Sequence, residues 1–240
     1  MLIVIPSKGR PFKSKSKELL KSGVLFVPEC EYKDYKQIYS EVVAVPDSVK
    51  GITATRNWIL KNTNERWVVF VDDDLRSQGR FVLKSDGYGI KHQRMTEEEW
   101  LTEFERLFEV TESLGWKIFG VNTEDSKISY KVAKPLSLRG YVLASCMGIV
   151  NDGTMYFDEE YKVKEDYEIS LRHIDMYGGV LRARWLYWVN THWSDGGGCK
   201  EYRTDSLERA MINKLIRQYP RYIRAVSNKS SQYTIKLHFD

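Results

Sequence analysis

Five apolar residues in a row, Trp67–Val71, run straight into three aspartates, Asp72, Asp73 and Asp74. A short continuous apolar run reads as a strand buried on both faces, which requires a sheet covered by helices on both sides. Three adjacent carboxylates crowd their charges, so the end of that strand needs a compensating partner. In an extended chain Asp72 and Asp74 point to the same side, while Asp73 faces the other way and reads as structural.

The rest of the chain fits such a sheet. Leu2 to Ile5 is an apolar run stopped by Pro6 and reads as a first strand, Val24–Val27 as a second, and Glu41–Val45 as a third, closed by Pro46. Helices are expected around Glu18–Lys21, ended by Gly23, and over Thr53–Lys61 after Gly51. Thr96 and Glu99 form a capping-box pattern, and Trp100, Phe104, Leu107, Thr111 and Leu114 then repeat at helical spacing up to Gly115. Trp116–Val121 and Tyr141–Val150 read as strands, Lys164–Tyr177 as a helix closed by Gly178 and Gly179, Val180–Val189 as a long strand, and Asp205–Tyr219 as a helix. Tyr233–Phe239 alternates like an edge strand. Alternating strands and helices predict an α/β fold with a mostly parallel central sheet flanked by helices. Residues 1–240 are expected to form one domain. Ligands of such sheets bind beyond the carboxyl ends of the strands, where the aspartates sit.

Composition narrows the classes. With 37 Lys+Arg against 33 Asp+Glu, the net charge of +4 permits a polyanionic partner without demanding one. Cys30, Cys146 and Cys199 are scattered and odd in number, which argues against a disulfide framework and for a reducing compartment. The start, MLIVIPSKGRP, lacks the apolar stretch of a signal peptide, and no run approaches a membrane span; a soluble, cytoplasmic protein is expected.

A strand ending in Asp also occurs in Walker B segments, but those require a GxxxxGK[ST] loop, and the chain has none. A hard divalent cation, Mg²⁺ or Mn²⁺, relieves the crowding directly, because such ions are held by one or two carboxylates plus substrate phosphates. Asp-x-Asp at the end of a central strand therefore suggests a metal that carries a nucleotide diphosphate.

Four further segments accompany it: "IVIPSKGRP" (Ile3–Pro11), "GITATRNWIL" (Gly51–Leu60), "EDYEISLR" (Glu165–Arg172) and "NTHW" (Asn190–Trp193). In order and spacing, with "VDDDL", they resemble the GT-A class of nucleotide-sugar-dependent glycosyltransferases. Within it, "IPSKGRP", "TATRN" and the small size are similar to phage-type DNA glycosyltransferases, including those called TET-associated, which decorate hydroxymethylated pyrimidines. The resemblance implies a UDP-sugar donor bound by Pro6, Ser7, Lys8, Gly9, Arg10, Arg56, Asp72 and Asp73. It implies Mn²⁺ or Mg²⁺ on Asp74 first, with Asp72 near the ribose or behind the ligand sphere and His192 as a third ligand, although a plain hydrogen-bonded surface histidine suits that position nearly as well. Asp166 is the expected base, with Glu165 as the alternative; acids at a helix start also suit the helix dipole without any catalytic duty. Trp58, Trp100 and Trp116 read as core.

The expected acceptor is duplex DNA. The loop Ser7–Lys21 carries six cations against Glu18 alone, and Arg217–Lys236 mixes Arg and Lys with Tyr219, Tyr222 and Tyr233 and has no acid. Such basic-aromatic mixtures suit phosphates and splayed bases. Competing readings are transfer to a glycan, lipid carrier or small molecule, a nucleotidyltransferase, and a non-catalytic module that senses nucleotide sugars or DNA.

Overall fold

The computed structural model describes residues 1–85, 87, 89–128, 130–191, 203–226 and 234–237. Its strands are β1 (Leu2–Pro6), β2 (Val24–Pro28), β3 (Val42–Val45), β4 (Trp67–Val71), β5 (Leu75–Leu83), β6 (Ile90–Gln93), β7 (Ile118–Asn122), β8 (Leu136–Ser137), β9 (Cys146–Val150), β10 (Leu181–Asn190), β11 (Ile223–Val226) and β12 (Thr234–Leu237). The helices are α1 (Lys15–Leu19), α2 (Tyr32–Lys36), α3 (Ile52–Lys61), α4 (Glu97–Ser113), α5 (Glu165–Tyr177) and α6 (Asp205–Gln218).

Ten strands form one sheet in the order β3-β2-β1-β4-β9-β7-β10-β5-β6, with β8 paired to β10; β11 and β12 form a separate ribbon. Following the pairings, β1 to β4, β6, β7 and β10 run one way, and only β5, β8 and β9 oppose them. The sheet is thus mostly parallel, with β9 inserted antiparallel between β4 and β7. No helix among the described residues is long and apolar enough to cross a membrane.

Alternation along the buried strands sends side chains to both faces. Ile3, Ile5, Val69 and Val71 pack against Trp100, Phe104, Leu107 and Phe108 of α4. Val4, Val68 and Phe70 pack on the other face with Ile59 and Leu60 of α3 and Ile169 and Ile174 of α5. An outer layer, α6, adds Ile212 and Leu215 against Leu171. The α4 capping box forms as the sequence predicts, Thr96 accepting from the Glu99 amide and Glu99 from the Thr96 amide. Gly148 of β9 lies so close to Phe119 that a Cβ there would sit 2.1 Å from its ring, so the strand insertion depends on glycine.

Several expectations shift. The first helix begins earlier, at Lys15, because Ser14 caps it by accepting from the Lys17 amide. The expected strand over Tyr141–Val150 shortens to Cys146–Val150, and the residues before it become a loop at the carboxyl edge of β7 and β10. The β5–β6 hairpin and the short helix α2 carry weak periodicity and escape sequence reading. The C-terminal edge strand exists but pairs with β11 rather than with the main sheet.

Candidate active site

The carboxyl ends of β1, β3 and β4 and the loops near β7 and β10 border a cavity of about 730 Å³. Its lining includes Pro6, Ser7, Lys8, Arg10, Arg56, the three aspartates, Glu165 and Asp166, together with Asp47, Ser145 and Arg203. Residues from both halves of the chain, far apart in sequence, therefore share one space.

The three aspartates are handled differently. Asp73 is turned inward, 5% exposed, as its opposite parity requires. It accepts from the Ser7 hydroxyl and from Arg10 Nη1 at 2.7 Å. Burial raises its pKa, and Ser7 and Arg10 oppose that rise. Ser7 Oγ also meets the Tyr35 hydroxyl at 2.7 Å, and Tyr35 accepts from the Arg10 amide at 2.9 Å. The first loop is thus fixed to the aspartates and to α2. Gly9 takes the left-handed region at φ +71° and donates its amide to Glu31 Oε2 at 2.7 Å.

Asp72 faces the cavity. Arg56 Nη2 lies 3.3 Å from Oδ1, and Asn190 Nδ2 donates to Oδ2 at 2.9 Å. Its pKa is pushed up to about 6, mainly by the low-dielectric walls; Arg56 opposes this, and Asp74, Asp73 and Asp166 add to it. Asp74 sits at the mouth, with a carboxylate oxygen 4.0 Å from Arg10 Nη1 and its carbonyl accepting from the Thr191 amide at 2.8 Å.

Arg56, 3% exposed, joins the two sides of the cavity. It is paired with Asp72 and, through Nη1, with Glu165 Oε1 at 2.7 Å, and its guanidinium lies over the rings of Phe70 and Phe157. Its neighbour Asn57 binds the Phe157 backbone in both directions, at 2.9 Å and 2.8 Å. The Arg-Asn pair on α3 therefore ties β4 to the segment leading into α5. Glu165 is held well above the usual carboxylate range, first by burial and then by the adjacent Asp166, with Arg56 opposing.

Asp166, the second residue of α5, lines the cavity, its Oδ1 accepting from the Tyr167 amide at 2.9 Å. Immediately before the helix, Lys164 adopts φ +66°, the single non-glycine residue with positive φ among those described. Such strain persists only where the surroundings hold it. Here Glu208 of α6 lies 3.3 Å from Lys164 Nζ, and the ammonium sits over the Tyr167 ring at 4.8 Å.

Among the described residues no group of three or more His, Cys, Asp or Glu lies close enough to hold a metal ion. Asp72 and Asp74 supply two carboxylates at the cavity, which is the set a Mg²⁺ or Mn²⁺ completed by substrate oxygens requires. Beside them the buried Asn190 Oδ1 and Ser145 Oγ have no protein partner among the described residues. His192 lies outside the described residues. Lys8 is exposed at the rim. Sequence reasoning missed Asn190, which stands two residues before His192 in the segment it had singled out. It also missed Asp47, Ser145 and Tyr35; Asp47 follows β3 at the same sheet edge, and that topology was the available clue.

This architecture, with its cavity at the sheet's carboxyl edge, is that of the GT-A fold. The solved structures it resembles include S. aureus TarS in complex with UDP-GlcNAc, with TM-score 0.50, 13% identity, and 90% of this chain and 67% of that chain covered. They include glucosyl-3-phosphoglycerate synthase from Mycobacterium tuberculosis in complex with Mn²⁺ and UDP-glucose, with TM-score 0.53, 13% identity, and coverage of 99% and 86%. They also include the mannosyltransferase PcManGT from Pyrobaculum calidifontis in complex with GDP-Man and Mn²⁺, with TM-score 0.54, 9% identity, and coverage of 81% and 57%. No protein-family model matches the chain. No curated protein sequence matches it either.

Proposed function

We propose that the protein is a metal-assisted glycosyltransferase that moves a sugar from a nucleoside diphosphate, UDP by preference, to a hydroxyl of a hydroxymethylated pyrimidine in DNA. The observation that supports the transfer reading is that one cavity is lined both by Asp72 and Asp74, backed by Arg56 and Arg10, and by a further carboxylate, Asp166. A purely binding pocket has no need of that further carboxylate. The fold alone does not decide function, because one architecture hosts many chemistries. The DNA acceptor rests on the likeness of "IPSKGRP" and "TATRN" to phage-type DNA glycosyltransferases and on the basic loops.

In this reading the first loop and the β3 edge hold the nucleotide, and Asp74 with Asp72 would hold Mn²⁺ or Mg²⁺. When bound, that ion offsets the negative charge developing on the departing diphosphate. Asp166 accepts the proton of the acceptor hydroxyl. The freed oxygen forms a bond to the anomeric carbon as the bond from that carbon to the diphosphate breaks, its electron pair leaving with the nucleotide. A base on the acceptor side fits inverting displacement. Glu165, held by Arg56, is a positioning residue that fixes the start of α5, and Arg56 anchors Asp72 and Glu165 rather than the diphosphate. Residues 1–120 act mainly on the donor and 121–240 on the acceptor.

The test is incubation with UDP- and GDP-sugars, with and without Mn²⁺ or Mg²⁺, against hydroxymethylated DNA, unmodified DNA and simple glycans, read by mass spectrometry. Metal-dependent transfer to hydroxymethylated DNA is expected. Transfer only to a glycan removes the DNA acceptor, and neither transfer nor release of free nucleotide with any donor removes the enzyme reading.

A further inference from the structure

The two most exposed large apolar side chains among the described residues are Ile128, at 94%, and Phe12, at 78%. Both sit on loops that leave the carboxyl edge of the sheet beside the cavity. The Phe12 loop follows β1, and the Ile128 loop follows β7, which runs in the same direction as β1 through the β1–β4, β4–β9 and β9–β7 pairings. The roots of the two loops line the cavity through Ser7, Arg10 and Thr123. In sheet order β1 and β7 are three strand spacings apart, roughly 14 Å. The roots of the two loops therefore lie on either side of β4 and the aspartates that follow it.

Both loops are basic at their apolar tips, although the second carries Glu124 and Asp125 next to its root. From Lys8 to Lys17 and from Ser126 to Arg139 there is no acid; Lys13 and Lys15 are exposed on one side, and Lys127, Lys131 and Lys134 on the other. Some cations of the first loop are used internally: Arg10 pairs with Asp73, and Lys17 donates to the Lys21 and Gly23 carbonyls at 2.6 Å and 2.5 Å. The tips are nevertheless firmly rooted. Arg10 and Ser14 anchor Phe12's loop. Tyr130, stacked on Phe81 with centroids 4.9 Å apart, anchors Ile128's loop, and the Pro135 carbonyl accepts from the Arg184 amide at 2.7 Å.

We propose that these loops form a two-sided clamp for duplex DNA, in which Lys13, Lys15, Lys127 and Lys131 contact phosphates and Phe12 and Ile128 wedge into the base stack beside the nucleotide presented to the cavity. The inference rests on the DNA reading above and names the surface that serves it. Holding isolated apolar side chains in water on anchored loops costs free energy that a base step repays, and Phe and Ile are side chains that unstack and kink a duplex. A base within a duplex must leave the stack before a closed pocket can act on it, and a wedge lowers that cost.

The full-length protein is tested with a short duplex carrying one hydroxymethylated pyrimidine next to 2-aminopurine, and with the matching single strand. Replacing Lys13, Lys15, Lys127 and Lys131 together by Gln is expected to lower the slope of log affinity against log salt by about 3 to 4. The pair Phe12→Ser and Ile128→Ser is expected to abolish the 2-aminopurine fluorescence gain on binding. It should also slow transfer to the duplex about tenfold or more, leave the single strand within about twofold, and leave UDP binding with Mn²⁺ unchanged. Should the parent transfer sugar to DNA while both sets of variants match it, the clamp is wrong and the DNA reading survives. A parent that binds UDP with Mn²⁺ but neither binds nor modifies DNA overturns both. Binding to anionic vesicles but not to DNA, lost in the same variants, makes the surface a membrane contact and also overturns the clamp.

Discussion

Arg56→Met isolates the cation on which the cavity depends. Methionine keeps an unbranched apolar stem of similar length, so the packing against Phe70 and Phe157 is largely retained. The lost interactions are the 2.7 Å pair with Glu165 and the 3.3 Å pair with Asp72. Removing one partner from a buried pair costs roughly 3–5 kcal/mol, because the remaining charge stays in a low-dielectric site. In a chain of this size each kcal/mol moves Tm by about 2–4 °C, so a loss of roughly 6–20 °C is expected at pH 8. The deficit must depend on pH. Asp72 already sits at about 6 and Glu165 is raised with the arginine present, so both rise further without it. A carboxylate whose folded-state pKa is raised above its unfolded value contributes stability fully below the unfolded pKa, and that contribution is lost as pH rises through the folded pKa. The variant should therefore lie furthest below the parent at pH 8 and approach it as pH falls through 7 and 6, where the orphaned carboxyls take up protons. Scanning calorimetry of parent and variant from pH 5 to 8 reads this directly. A deficit under about 1 kcal/mol at pH 8, or one that does not shrink towards pH 6, refutes the account of Arg56 as the shared counter-ion.

Asp74→Ala is expected to abolish transfer while Tm stays within a few degrees, since the ion pair between Asp74 and Arg10 is long at 4.0 Å; retained activity would contradict the metal role. Asp166→Asn should lower kcat roughly a hundredfold to ten-thousandfold with nucleotide affinity unchanged, and a variant within a few-fold of the parent would move the base elsewhere. Because Asp72 titrates near 6, the thermal shift induced by Mn²⁺ with UDP should shrink as pH falls below about 6, and a shift independent of pH between 7 and 5 would remove Asp72 from the ion's environment. His173 is fully buried, donates from Nδ1 to the Gly179 carbonyl at 2.6 Å, and accepts at Nε2 from the Lys117 amide at 2.8 Å. Its pKa is lowered to about 4, mainly by burial, so about 3 kcal/mol of stability is present above pH 6.5 and lost as pH falls through 4. Urea melts of the parent and of His173→Gln across that window should show a steeper loss in the parent.

The fold was legible wherever periodicity was strong. Trp67–Val71 matches β4, and the Thr96–Glu99 box opens α4 as read, because continuous apolar runs and caps act locally. The hairpin of β5 and β6 was not legible. Its Leu75–Leu83 stretch mixes Arg76, Ser77, Gln78 and Arg80 among apolar residues, and it becomes a strand because Gln78 accepts from the Trp100 indole at 2.7 Å and β10 pairs along it. Both partners are distant in sequence. The antiparallel entry of β9 likewise depends on Gly148 meeting Phe119, which no local pattern announces.

At the site, sequence reading could place the aspartates but not their counter-charges. Parity told Asp73 from Asp72 and Asp74, and Asp73 is indeed the inward one. Which cation neutralises which carboxylate is a matter of strand order. Because β1 lies beside β4, the loop after β1 delivers Arg10 and Ser7 to Asp73. Because α3 leads into β4 and packs on the face shared with α5, Arg56 reaches both Asp72 and Glu165. The crowded carboxylates are thus made tolerable from two sides by residues 63 and 16 positions away. Asp73 is held from both sides by Ser7 and Arg10. Asp72 and Asp74 keep a face to the cavity, and under the proposed function the excess negative charge of the run is delivered where a cation and a diphosphate would meet.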